Sequence, residues 1–159
     1  MRGARGRAMA AAMFRSFMDV ALEEARAAGV RGEVPVGACV TRGGSVLARA
    51  GNRGRETSDP TAHAELLALR AACAAEGSER LPGATVWVTL EPCAMCAQAL
   101  AHARVARLCF GATDPKSGGV LHGARVFAHP QAHHAPEVLD GFEADACAAL
   151  LREFFARRR

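Results

Sequence analysis

Two short segments restrict this chain more than any other feature: His63-Ala64-Glu65, preceded by Pro60-Thr61-Ala62, and Glu91-Pro92-Cys93-Ala94-Met95-Cys96. Each stands where a helical pattern begins. Cysteines three apart on a helix share one face. The free N–H groups and positive end of that helix favour thiolates over thiols. Two thiolates and an imidazole nitrogen suit Zn²⁺. The fold must therefore bring two helix starts, distant in sequence, into contact at one point.

His63, Cys93 and Cys96 make three ligands, and neither a second Cys-x-x-Cys nor a histidine at finger spacing supplies a fourth. A structural zinc closes with four protein ligands, whereas a catalytic zinc keeps one position for water. Glu65, two residues beyond His63, points elsewhere than the metal on a regular helix. A carboxylate beside such a water can take its proton and pass it to a substrate. Taken singly, Cys-x-x-Cys suits a redox pair, the histidine suits a cap or surface position, and the glutamate suits a solvated face. Together and in order, His-x-Glu followed by Pro-Cys-x-x-Cys is the signature of the zinc deaminases as a class.

The remaining features set limits. A length of 159 residues fits one domain, expected over 13–159, with residues 1–12 a disordered basic extension. Arg15 interrupts the short apolar stretch after Arg2, Arg5 and Arg7, so that stretch does not read as a secretory signal. No apolar run approaches the ~20 residues that span a bilayer, and no membrane partner is expected. Without a signal, the six cysteines are expected to be reduced thiols in the cytoplasm. Cys39, Cys73, Cys109 and Cys147 then read as small core residues. The formal net charge is +4, but arginines 2, 5, 7, 157, 158 and 159 carry six positive charges, and without them the chain stands at −2. Net charge is therefore poor support for a nucleic-acid partner.

Periodicity predicts a helix over Ser16–Ala28, with Ser16 and Asp19 as a capping box and Gly29 as its stop. A hairpin follows, Val36–Val40 and Ser45–Ala50, turning at Arg42-Gly43-Gly44. Asn52–Pro60 reads as a polar connection. A helix over Thr61–Glu76 is expected to be capped by Asp59, with Pro60 in its first turn. Ala84–Leu90 is a buried strand, Cys93–Ala103 a short helix, and Val105–Phe110 a strand parallel to the previous one. Residues 111–136 read as a loop with one helical turn. A short strand over Glu137–Leu139 and a helix over Glu143–Arg158 complete a mixed sheet covered on both faces.

The chain resembles the cytidine deaminase-like superfamily, and within it the bacterial tRNA adenosine deaminases. The resemblance runs from Phe17 to Arg158. It rests on Glu33-Val34-Pro35-Val36-Gly37-Ala38, Asn52, Asp59 through Glu65, Thr89 through Cys96, His102-Ala103-Arg104, Phe110-Gly111-Ala112, Asp114 and Lys116. It implies a three-layer α/β/α fold with a mixed five-stranded sheet, a homodimer, and one Zn²⁺ per subunit. The implied reaction is adenosine to inosine at the wobble position of a tRNA anticodon. Water attacks C6 of a flipped-out adenine, Glu65 protonates N1, and ammonia leaves. By position, Asn52 matches a residue that hydrogen-bonds the nucleoside. Val36, Leu90 and Phe110 match residues lining the base pocket and nucleotide path. Asp114 matches a contact to RNA backbone, and Phe154 with Arg157 and Arg158 matches a terminal helix that touches the anticodon loop. Aromatics stack on splayed bases and arginine pairs phosphates, which suits those roles.

Gln98 departs from the small residue usual after the second cysteine. His133 and His134 fall in a loop expected to be solvated or near RNA. Phe155 suits a core position about as well as an RNA contact. Two other functions compete: deamination of a free base or nucleoside, which needs the same zinc site, and a non-catalytic RNA-binding or scaffolding role. Retention of Glu65 with all three ligands disfavours the last.

Overall fold

A computed structural model describes residues 15–158; the expected basic extension over 1–12 lies outside them. Helix α1 (Met18–Val30) leads into β1 (Gly37–Arg42) and β2 (Ser45–Gly51). A short helix α2 (Gly54–Thr57) and the longer α3 (Ala64–Glu76) follow. Then come β3 (Thr85–Leu90), α4 (Ala94–His102), β4 (Arg107–Ala112), a 3₁₀ turn (Val126–Ala128), β5 (Glu137–Leu139) and α5 (Ala144–Ala156).

The five strands form one mixed sheet in the order β2-β1-β3-β4-β5. β1 pairs antiparallel with β2 and with β3, whereas β3, β4 and β5 run parallel. The hairpin turn uses Gly43 and Gly44 at φ 58° and 79°, the two left-handed positions that let a two-residue turn match strand twist. Parallel β3 and β4 need a crossover, and α4 supplies it.

Alternation along the central strands sorts side chains between two helical layers. Ala38, Val40, Val86, Val88, Leu108 and Phe110 face α3 and α4, packing on Ala64, Ala68, Leu69, Ala97 and Leu100. Cys39, Trp87 and Cys109 face the other way, against Met18, Ala21 and Leu22 of α1 and Cys147 of α5. Trp87 Nε1–H donates to Thr41 Oγ1 at 3.1 Å, satisfying the one polar atom of that ring. Three of the four non-ligand cysteines are buried, and Cys73 sits at the core margin. Burial pushes the Cys39 and Cys109 thiols up to about 12, so they behave as apolar groups.

Gly37 is where α1 meets the sheet. A Cβ there would strike the Ala21 carbonyl and the Ala25 amide nitrogen, backbone atoms that cannot swing aside. Gly37→Ala is expected to cost about 3 kcal/mol, the upper end for overpacking. A thermal melt should show Tm lower by several degrees.

Several local expectations need correction. α1 starts at Met18 with Phe17 at the cap position; Ser16 Oγ accepts from the Met18 N–H at 3.2 Å, but no capping box forms. Gly29 lies inside the helix, and the left-handed residue that follows it is Gly32, at φ 86°. Asp59 does not cap α3. Its Oδ1 accepts from the Thr61 N–H and hydroxyl at 2.8 and 2.7 Å and closes its own turn, so Pro60 precedes the helix, which begins at Ala64. The Asn52–Pro60 connection holds a helical turn, α2, because the buried Glu33 accepts the Arg55 and Glu56 N–H groups at 3.2 and 2.7 Å. Free amides at a helix start are what a carboxylate binds.

Candidate metal centre and active site

Both helices that carry the signature begin with a ligand. His63 is the cap residue of α3 and Cys93 the cap residue of α4, both in extended backbone conformation. A cap side chain ordinarily folds back onto its own helix. Here neither does. Asn52 relieves His63 of that duty: its Oδ1 accepts the Ala64 N–H at 2.8 Å, while its Nδ2 donates to the Val34 carbonyl at 3.1 Å. The imidazole is thereby free to turn toward α4.

Cys93 Sγ and Cys96 Sγ each lie 3.6 Å from His63 Nδ1, and the three donor atoms all fall within 4.8 Å of one another. Tetrahedral ligands at the usual Zn–N and Zn–S lengths stand about 3.6 Å apart, so the donor set fits zinc in spacing as well as in chemistry. This is the one His/Cys/Asp/Glu cluster of such closeness among the described residues. A hydrogen bond from the Cys96 thiol, then one from His63, holds Cys93 down to about 4. Donating that bond to Cys93, together with burial, raises Cys96. The hydrogen bond with Cys93 raises His63. In the metal-free cluster one negative charge therefore sits on Cys93, facing an imidazole.

Glu65 stands beside this cluster, only 4% exposed. Burial raises its pKa, partly offset by hydrogen bonds that include one from Cys96. Its Oε2 has no hydrogen-bond partner. A buried carboxylate oxygen left unpaired costs stability, and such a cost beside a metal cluster points to an atom kept for substrate or water.

The other expected site residues are distributed unevenly. The Asn52 N–H donates to the Val36 carbonyl at 3.1 Å, so these two adjoin the start of α3. Leu90 is half-buried at the end of β3. Phe110 is fully buried opposite Val88 in the sheet. Asp114 Oδ1 accepts the Lys116 and Ser117 N–H groups at 3.1 and 2.9 Å, closing a turn beyond β4. Phe154 lies apart from the ligands, in a groove of about 530 Å³ with Arg26, Val30, Arg157 and Arg158. The Arg158 guanidinium stands 4.0 Å from its ring centroid. Phe155 is 49% exposed and is not a core residue. His134 Nε2 meets the Val105 carbonyl at 2.7 Å and ties its loop to the sheet, whereas His133 is exposed and neighbours His102. Gln98 lies on α4 within hydrogen-bond reach of His102, so its larger side chain is accommodated at the surface.

Sequence reasoning assigned no role to Glu33, Glu91 or His122. Glu91 is 2% exposed and accepts five hydrogen bonds from the loop after β4. Burial alone would raise its pKa; the bonds from His122 and from backbone N–H groups outweigh that and hold it below the ordinary range. The available signal was an acid at the end of an apolar strand, immediately before Pro92.

A mixed sheet with a His and two Cys at facing helix starts, and a buried glutamate beside them, defines the zinc-dependent deaminase class. Residues 13–112 match the family described as the cytidine and deoxycytidylate deaminase zinc-binding region. A tRNA-specific adenosine deaminase of Agrobacterium fabrum is 54% identical over 143 residues, 90% of this chain and 94% of that protein. The Bacillus subtilis enzyme of the same description is 41% identical, covering 90% and 89%. The chain belongs to the zinc-binding deaminases and, within them, to the tRNA-specific adenosine deaminase family. A solved structure from studies of A-to-I editing by tRNA:A34 deaminases at the wobble position superposes with a TM-score of 0.84 at 55% identity. It covers 85% of this chain and 98% of the other. A guanine deaminase from Nitrosomonas europaea gives 0.76 at 27% identity, covering 87% and 82%.

Proposed function

We propose that this chain is a zinc-dependent hydrolase that converts adenosine to inosine at the wobble position of a tRNA anticodon. The observation that carries the substrate is the 54% identity to a tRNA-specific adenosine deaminase along nine-tenths of the chain. The free-base guanine deaminase shares the fold at half that identity.

His63, Cys93 and Cys96 would hold the metal. When bound, zinc acts as a Lewis acid and lowers the pKa of water, supplying a nucleophile at neutral pH. The chain's own groups do the rest. Glu65 offers the unpaired Oε2 to one proton from the attacking water and passes it to N1 of adenine; it then takes the second proton, from the hydroxyl now on C6, and passes that to the departing amine. Water and adenosine thus become inosine and ammonia. Burial, which favours a protonated carboxyl, suits Glu65 to hold that proton between transfers. Asn52 is pinned by backbone partners, yet its amide keeps one N–H and one lone pair for the nucleoside. Leu90, at the end of β3, and Val36, whose carbonyl accepts the Asn52 N–H, would border the base. Phe154 on α5, with Arg157 and Arg158 just beyond its end, offers a stacking face and cations to the anticodon loop. The protein works as a homodimer in the cytoplasm. No helix among the described residues is long and apolar enough to cross a membrane.

The test sets an anticodon stem-loop with adenosine at the wobble position beside free bases and nucleosides. Inosine in the RNA alone is the expected product. Ammonia from free guanine or cytosine, with unchanged RNA, would overturn the reading.

A further inference from the structure

The segment from Asp114 to His122 is folded around one carboxylate. Glu91 Oε1 accepts from the Asp114 N–H at 3.1 Å and from His122 Nδ1 at 2.8 Å. Glu91 Oε2 accepts from the N–H groups of Val120, Leu121 and His122 at 3.3, 3.1 and 3.1 Å. Four of these donors are main chain and survive any side-chain substitution. The fifth, and the shortest bond, comes from an imidazole. An ionised carboxylate only accepts, so Nδ1 carries the proton.

The same segment is pressed against the helix that carries the cysteines. The Gly119 N–H donates to the Pro92 carbonyl at 2.8 Å. A Cβ on Gly119 would strike the Ala94 backbone, and one on Gly118 would strike the Glu91 carboxylate. The stance of Asp114, Lys116 and the 40% exposed Leu121 relative to Cys93 is therefore set through Glu91. The Glu91 side chain is 0% exposed while that of His122 is 36% exposed. The ring thus closes the carboxylate cradle on its solvent side.

We propose that His122 is a positioning residue for RNA: its Nδ1 bond to Glu91 seals the cradle and fixes the loop that presents Asp114 and Lys116 to the substrate backbone. Without the ring, water reaches the carboxylate and competes for it with the loop amides, and the loop loosens while the metal ligands stay in place. The substrate side of this inference rests on the tRNA reading above; the cradle itself does not.

The experiment compares full-length zinc-loaded wild type with His122→Ala and His122→Asn. Three quantities are measured: hydrogen exchange at amides 114–122, steady-state kinetics on the wobble-adenosine stem-loop, and zinc content. In His122→Ala, exchange at Val120, Leu121 and His122 is expected to accelerate. KM should rise about ten-fold, the scale of one charge-assisted hydrogen bond, with kcat and zinc content little changed. His122→Asn, whose amide can donate from nearly the same place, should restore both exchange and KM. Unchanged exchange and KM in His122→Ala would overturn the proposal. So would a joint fall of kcat and zinc with KM unaltered, which marks general disruption of the site. If wild type makes no inosine, the tRNA reading fails. The exchange contrast then decides the cradle by itself, faster exchange supporting it and equal exchange sinking it.

Discussion

Glu65→Gln should bind zinc at the wild-type ratio and lose turnover by roughly 10²- to 10⁴-fold, the usual worth of a positioned general acid–base. The carboxylate is 4% exposed, lies against the cluster, and leaves Oε2 without a partner. No structural bond depends on that oxygen, so the amide should not disturb the ligands. Single-turnover inosine formation and metal analysis of the same preparation separate the two effects. Stability should move the other way. Replacing a buried, incompletely paired carboxylate removes part of its desolvation cost, so the Tm of metal-free Glu65→Gln should match or exceed that of metal-free wild type. An active site that sacrifices stability for function behaves in this way. Substantial turnover in the zinc-loaded variant would remove Glu65 from the proton path.

Cys93→Ala is expected to do the reverse: lose the metal, and stability and activity with it. Cys93 holds the negative charge of the metal-free cluster, its thiol lowered to about 4 by bonds from Cys96 and His63. The variant leaves a neutral thiol and an imidazole, so zinc affinity should fall by well over the roughly 10–100-fold that loss of an outer partner costs. Metal binding free energy is also folding free energy. The Tm of the variant should therefore equal that of chelator-treated wild type and ignore added chelator. Stoichiometric zinc in purified Cys93→Ala would mean that the ligand set is misassigned. Cys39→Ala makes the control, since that thiol packs against α1 and Trp87, away from the ligands.

The chemistry of the centre was legible because it is local. Helix starts are written in short patterns, and Cys93 and Cys96 need only a helix to share a face. Periodicity, residue propensity and turn residues likewise marked all five strands and the four longer helices to within a few residues, because those signals act over short windows of sequence. What the pattern misplaced were ends and supports: the true start of α3, the helical turn at Gly54–Thr57, and the partners of Glu33 and Glu91. In each case a side chain satisfies backbone amides more than ten residues away, and no window of sequence holds both halves of such a bond. Phe110, Asn52 and Phe154 show the same division. Their types suit contact with a nucleoside or RNA, yet only the tertiary structure buries the first opposite Val88, pins the second between two backbones, and sets the third in a groove away from the ligands. The sequence alone determined which atoms can hold zinc and carry a proton. Long-range packing decided that those atoms meet at 3.6 Å, that Asn52 frees His63 to reach them, and that one carboxylate organises the loop beside them. Ligand identity is a property of single residues, whereas their distances depend on contacts between elements that only the folded chain brings together.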